Sequence, residues 1–135
     1  MLHKISDSWS LQLPEDGEGA PTEAGDLLVE AEGRTIVVSA WQADDGLDAA
    51  GQLDRLKRAE RPAPRAEFDE HGPDGTVRWA FLLDEREGDH EYMGLYGYVL
   101  AEHEWLQVAV LFDDRRDHDE ALMIWRSVRH THALA

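Results

Sequence analysis

Residues 92–112 read YMGLYGYVL-AEHE-WLQVAVLF, and their rhythm decides the fold. Within 92–100, Tyr92, Tyr96, Tyr98 and Leu100 fall on one side together with Gly94, which is the two-residue period of a strand. Residues 101–104 allow only a tight connection, so 105–112 returns antiparallel. That return strand is apolar twice over. Leu106, Val108, Val110 and Phe112 point one way, and Trp105, Ala109 and Leu111 the other. A strand with two apolar faces belongs in the middle of a sheet, covered above and below.

The same period extends towards the N-terminus. Residues 77–83 place Val77, Trp79, Phe81 and Leu83 on one face, and an acidic loop is expected over 84–90. Gly72-Pro73-Asp74-Gly75 is a turn signal, preceded by a short strand over 66–71 around Phe68. Before it the period changes to that of a helix. Leu47, Ala50, Leu53 and Leu56 form one stripe over 47–60, with Asp44 or Asp45 as cap and Pro62 and Pro64 preventing continuation. Earlier still, 26–31 and 34–41 read as a hairpin around Glu32-Gly33, and Thr35-Ile36-Val37-Val38 is β-branched throughout. Residues 8–13 alternate through Trp9, Leu11 and Leu13 up to Pro14. An acidic, Gly-rich surface loop is expected over 15–25.

Towards the C-terminus, Asp117 and Glu120 have the spacing of a capping box. Ala121, Leu122, Trp125 and Val128 then form the buried stripe of a second helix, expected to end near His130. The order is β-β-β-α-β-β-β-β-α in one domain spanning 1–135. The expected class is α+β: a mostly antiparallel sheet of six or seven strands, with two helices burying their stripes on it.

Composition limits the function. There are 29 acidic residues against 13 Lys plus Arg, a net charge of −16. Such a surface repels nucleic-acid phosphates and anionic membranes, and it electrostatically favours a basic protein partner. The plainer consequence of the charge is solubility. No cysteine is present, which excludes disulfides and thiolate chemistry. Residues 1–14 lack the apolar core of a signal peptide, and no run is long enough to span a membrane, so the cytoplasm is the expected compartment.

No motif for catalysis, cofactor or metal stands out. His3, His71, His90, His103, His118, His130 and His132 are scattered, and only the last two are close, in what reads as a fraying tail. The acidic run Asp113, Asp114, Asp117, Asp119, Glu120 lacks the Gly and terminal Glu of a calcium loop. There is no nucleophile elbow and no Gly-rich phosphate loop. His90–Glu91 and His103–Glu104 are strand neighbours, whose side chains point to opposite faces. Arg55, Lys57, Arg58, Arg61 and Arg65 cluster at the end of the first helix, where the helix dipole favours cations; a docking patch is the other reading.

Trp9, Trp41, Trp79, Trp105 and Trp125 lie on separate elements, a distribution that builds a core more readily than a pocket. The candidate binding residues are Tyr92, Tyr96 and Tyr98, with Trp79. The three phenols share a strand face, and Gly94 and Gly97 leave room on that strand for another backbone or a ligand.

The element order resembles the Mog1/PsbP-like superfamily, which includes bacterial proteins of the DcrB and LpqN type. The resemblance rests on the opening Ser8-Trp9-Ser10-Leu11-Gln12-Leu13-Pro14 and on Ile124-Trp125-Arg126-Ser127-Val128-Arg129 in the closing helix, where Val128 replaces an aromatic. It implies an antiparallel sheet flanked by helices in a binding, assembly or chaperone-adaptor protein, and it transfers no catalytic residue. The leading expectation is therefore a non-enzymatic interaction module of the adaptor, chaperone or inhibitor type. The alternative is a small-molecule-binding protein or enzyme with an aromatic-lined cavity. A homodimer through a sheet face or edge is the third.

Overall fold

The computed structural model describes residues 2–22, 25–42, 48–59 and 63–131. Along these residues run strands β1 (Leu2–Lys4), β2 (Trp9–Gln12), β3 (Glu18–Pro21), β4 (Leu27–Ala31) and β5 (Arg34–Gln42), then helix α1 (Ala49–Arg58). Strands β6 (Ala66–His71), β7 (Val77–Glu87), β8 (His90–Leu100) and β9 (Glu104–Phe112) follow, and α2 (His118–Arg126) and β10 (Arg129–His130) close the chain.

The class is α+β. Seven strands form one sheet in the order β3-β4-β5-β9-β8-β7-β6, and β1-β2-β10 form a second. Every described pairing is antiparallel. The doubly apolar β9 is the fourth of the seven strands, flanked by β5 and β8. Its even-numbered residues 106–112 are at most 1% exposed. They belong to a core with Ile36, Val38, Leu82, Leu95 and Val99 from the neighbouring strands, and with Trp9, Leu11, Leu122 and Trp125 from β2 and α2. This face of the large sheet is called the far face below; α1 packs on the near face.

Several expectations give way. Residues 84–87 are not a loop. β7 continues to Glu87, which pairs with His90 across a two-residue turn at Gly88 (φ +63°), because ladder hydrogen bonds satisfy the backbone whether its side chains are charged or apolar. Within 15–25, residues 18–21 form the edge strand β3, fully exposed and ended by Pro21, a composition that discourages further pairing. The last helix stops at Arg126, and Arg129 and His130 pair with β2.

The capping box is not formed either. Asp114 caps a 3-10 turn ahead of α2, whereas Glu120 Oε1 lies 2.7 Å from Arg34 Nε. The cap of α1 is Asp48, whose carboxylate accepts from Gly51 N at 2.8 Å. Asp44, Asp45, Leu47, Glu60, Arg61 and Pro62 lie outside the described residues. Ala50 faces solvent, so the buried side of α1 is Gln52, Leu53 and Leu56.

The turn signal at 72–75 hides a buried ionic hub. Arg78 and Asp74 are both 2% exposed. Arg78 donates to the carbonyls of Trp125 (3.4 Å), Arg126 (3.0 Å) and Val128 (2.5 Å), which supplies donors to the end of α2. Asp74 accepts from Thr76 Oγ1 at 2.6 Å and from His130 N at 2.8 Å. Burial disfavours the Asp74 carboxylate, but the bonds from Thr76 and His130, with Arg78 alongside, outweigh it and hold the group below the usual carboxylate range. One hairpin turn thus fastens α2 and β10 to the large sheet.

Candidate binding face

On the near face the ladder brings aromatic residues from four strands into one row. Trp79 pairs with Tyr98 across β7–β8, and Trp105 pairs with Trp41 across β9–β5. The Trp79 and Tyr98 rings stack at 5.5 Å and 17°. Tyr98 and Trp105 are 5.9 Å apart, and Trp105 and Trp41 stack at 4.4 Å and 17°. Phe81 and Tyr96 form a parallel step at 5.5 Å. Such offset stacks add about 0.5–1.5 kcal/mol per pair beyond area burial.

Exposure grades along the row. Trp79 is 1% exposed, beneath α1, with Leu53 and Leu56 on its cluster and Lys57 Nζ 5.9 Å from its ring centre. Tyr98 and Trp105 are half-buried. Trp41 is 41% exposed. The five tryptophans therefore do not build one core: Trp9 and Trp125 join the far core, Trp79 joins a small near cluster, and Trp41 and Trp105 continue that cluster into solvent.

The candidate residues thus separate. Trp79 is a buried support and offers nothing to a partner directly. Tyr98 lies in the row, and its hydroxyl accepts from Gln107 Nε2 at 3.2 Å. Tyr96 donates its hydroxyl to Glu85. Burial first, then that hydrogen bond and the Glu85 charge, push the Tyr96 phenol well above its ordinary range, and burial raises Tyr98 as well. Both phenols are neutral hydrogen-bonding groups at physiological pH. Tyr92 stands apart near His90 (5.7 Å), in a cleft walled by Arg65, Asp84, Glu85 and Arg115. The room at the two glycines is already taken. A Cβ at Gly97 would lie 2.7 Å from Cγ of Trp125, and one at Gly94 would lie 2.8 Å from the Tyr96 ring.

Trp41 and Trp105 lie on the strands that the sequence predicts for them, but neither joins a core. Their signal was faint: Trp41 ends its strand beside Gln42, and Trp105 follows the turn 101–104, so both sit at the sheet's rim.

At that same rim lies a cleft of about 580 Å³, between the β8–β9 turn and the start of α1. Asp48, Glu102 and Glu104 bring carboxylates to it, and Ala49, Ala50, Leu100 and Ala101 line it with carbon. Glu104 Oε1 is 2.5 Å from Nε2 of His130, whose ring also meets Trp9 edge-on at 4.6 Å. His130 is 7% exposed and structural, not part of a frayed tail; His132 lies outside the described residues.

Of the cations around α1, Lys57 pairs with Asp69, Arg58 with Asp54 (2.6 Å) and Arg65 with Asp84 (2.8 Å), while Arg61 lies outside the described residues. Among the described residues, no three His, Asp or Glu side chains are grouped to hold a metal ion, and no helix is long and apolar enough to cross a membrane.

No protein-family model matches the chain, and no curated protein matches it in sequence. Among solved structures it is similar to a protein of Bacteroides thetaiotaomicron, with a TM-score of 0.69 at 11% identity. The match covers 90% of this chain and 44% of that one, so this chain spans less than half of that protein's length. At such low identity the likeness is one of fold alone.

Proposed function

We propose that this chain is a non-enzymatic protein-interaction module that docks a partner on the near face of its large sheet. The observation that carries the reading is the Trp41–Trp105 stack, with Trp41 41% exposed at the open end of an aromatic row. Exposed Trp held rigidly by a second ring is the type of anchor that dominates interface energies. Half-buried Tyr98 and Gln107 beside it supply neutral hydrogen-bonding groups, as an interface rim requires. The net charge of −16 favours a basic partner and speeds its encounter. An aromatic-lined cavity, the alternative, is poorly supported. The rings stack on each other, and the 580 Å³ cleft has no Trp or Tyr in its walls.

The test is affinity capture from native extract with the parent chain, Trp41→Ser, and Met123→Ser as control. Met123 is 68% exposed on α2, on the other side of the sheet. The expected outcome is a partner retained by the parent and by Met123→Ser, weakened by salt, and lost with Trp41→Ser. Capture that is indifferent to Trp41, or no partner in any arm, rejects the reading.

A further inference from the structure

We infer that the uncovered half of the near face, over β9, β5 and β4, receives an amphipathic helix of the partner whose polar flank is basic. This rests on the docking reading above and deepens it by naming what docks.

Cover is missing where the residue pattern asks for it. On β5 and β9, Ile36, Val38, Val108 and Val110 point to the far face and are at most 1% exposed. Val37, Ala109 and Leu111 alternate with them on the same two strands, point to the near face and are only half-buried. Leu28 of β4, the ladder partner of Val37, is half-buried in the same way, whereas Val29 beside it is 1% exposed on the far side. The helix of the near face, α1, packs on β7 and β8. A strand apolar on both sides belongs between two layers. Over this strip the described residues supply one.

The strip runs into the tryptophans. The pairs Thr35–Leu111, Val37–Ala109, Ser39–Gln107 and Trp41–Trp105 follow one another on the same side of β5–β9. Strand register therefore makes the apolar strip and the exposed indole one surface.

Dimensions select a helix. Three strands about 4.8 Å apart make a strip about 10 Å wide, the width of one helix laid beside α1 in the same layer. Thr35 to Trp41 measures about 20 Å along the strand, which a helix of about 14 residues spans. An apolar stripe at i, i+3, i+4 and i+7 suits such a surface.

Charge selects the flank. Glu18 and Glu30 lie directly opposite each other across β3–β4, both exposed and on the near side. Like charges so placed repel. No near-face position of β3, β4, β5 or β9 carries Lys or Arg. Arg34, on β5, points to the far side, where Glu120 of α2 holds it. A Lys or Arg on the flank of the docked helix above β3–β4 relieves the glutamate pair. A second copy of this chain, with its own net charge of −16, is repelled instead.

The experiment is an NMR titration of the full chain with a synthetic peptide of about 14 residues, with Leu at the stripe positions and Lys and Ala elsewhere. One control peptide carries Glu for Lys, and a second carries Pro at its centre, which breaks the helix. The expected result is saturable shifts at the amides of Leu28, Val37, Ala109 and Leu111 and at the Trp41 indole, with helical circular dichroism gained on binding. Both control peptides should bind about tenfold more weakly or worse. Ala109→Lys sets a charge in the middle of the strip and should weaken the Lys peptide by about tenfold. Val37→Thr keeps a β-branched strand residue and should weaken it severalfold, so the result does not hang on one variant. Glu30→Lys should weaken the Lys peptide and strengthen the Glu peptide. Asp7→Lys, in the β1–β2 connection, makes the same change of net charge and should do neither. Equal binding of the Pro peptide, shifts spread over the acidic surface, or equal responses of Glu30→Lys and Asp7→Lys would each overturn the inference. Self-association of the free chain that Ala109→Lys abolishes in sedimentation would overturn it too, in favour of a second copy. If the helix fails to bind while Trp41→Ser still abolishes capture, the docking face stands and the helix is wrong. If the helix binds with the expected charge pattern while capture ignores Trp41, the docking reading falls and the inference holds for the β4–β5–β9 strip alone.

Discussion

The large sheet carries a helix on each face, and the two are held very differently. On the far face α2 buries Ala121, Leu122, Ile124 and Trp125 in nine residues, and Val128 follows at 0% exposed. Trp125 lies flat on the bare backbone of Gly97 and donates Nε1–H to the carbonyl of Tyr98 at 3.2 Å. Arg78 then ties down three carbonyls at its end. On the near face α1 has ten residues and fully buries one of them, Gln52. It rests on the half-buried Leu53 and Leu56. A fully buried Leu contributes about 1.5–3 kcal/mol, so two partly buried ones contribute about 2–3 kcal/mol in total. An isolated helix of this length is marginal in water. Stability is therefore concentrated on one face, and the other keeps part of its aromatic row, from Tyr98 through Trp105 to Trp41, within reach of solvent.

The sharpest test of this asymmetry is Asp74→Ala. It leaves Arg78 charged and buried without its partner, and urea unfolding should show a loss of about 3–5 kcal/mol. The milder Asp74→Asn isolates the charge. Because the folded pKa of Asp74 lies below its ordinary 3.8, the unfolded chain takes up the proton first as pH falls. The contribution is complete above pH 3.8 and is lost as pH drops through the folded value. Acid titration of stability should accordingly be steeper below that point in the parent than in Asp74→Asn. Parallel curves would remove the hub from the account.

Gly97→Ala comes next. The added methyl meets an indole that is 0% exposed and has nowhere to move, so a loss of about 1–3 kcal/mol is expected by thermal unfolding. An unchanged Tm would mean that α2 sits less tightly than described.

Leu53→Ala should cost least, about 1 kcal/mol, since the side chain is only half-buried. Hydrogen exchange should also show α1 amides opening well before those of α2. Equal protection of both helices, or a Leu53→Ala cost matching that of Asp74→Ala, would break the comparison.

Much of the far face was legible from residue order alone. The alternation of β8 and β9 and the stripe Ala121, Leu122, Trp125, Val128 identified the central strands and their cover, because one buried side forces a period. The tyrosine strand was found, but its meaning was not. Tyr92, Tyr96 and Tyr98 share a side by period, yet only Tyr98 meets the Trp41–Trp105 stack, through the half-buried Trp105, since the neighbouring strands bring those indoles to that end. Gly94 and Gly97 read as open space and prove to be filled, one by Tyr96 and the other by a ring from α2.

Composition and period by themselves determined an acidic α+β chain with a doubly apolar central strand and two helices packed on a sheet. Tertiary structure alone decided that Trp41 stacks on Trp105, that Arg78 closes the end of α2, and that Glu104 meets His130. The reason is physical. A two-residue period states which side of a strand a residue faces, whereas the strand alongside, and how far a helix reaches over it, are set by contacts between residues distant in the chain.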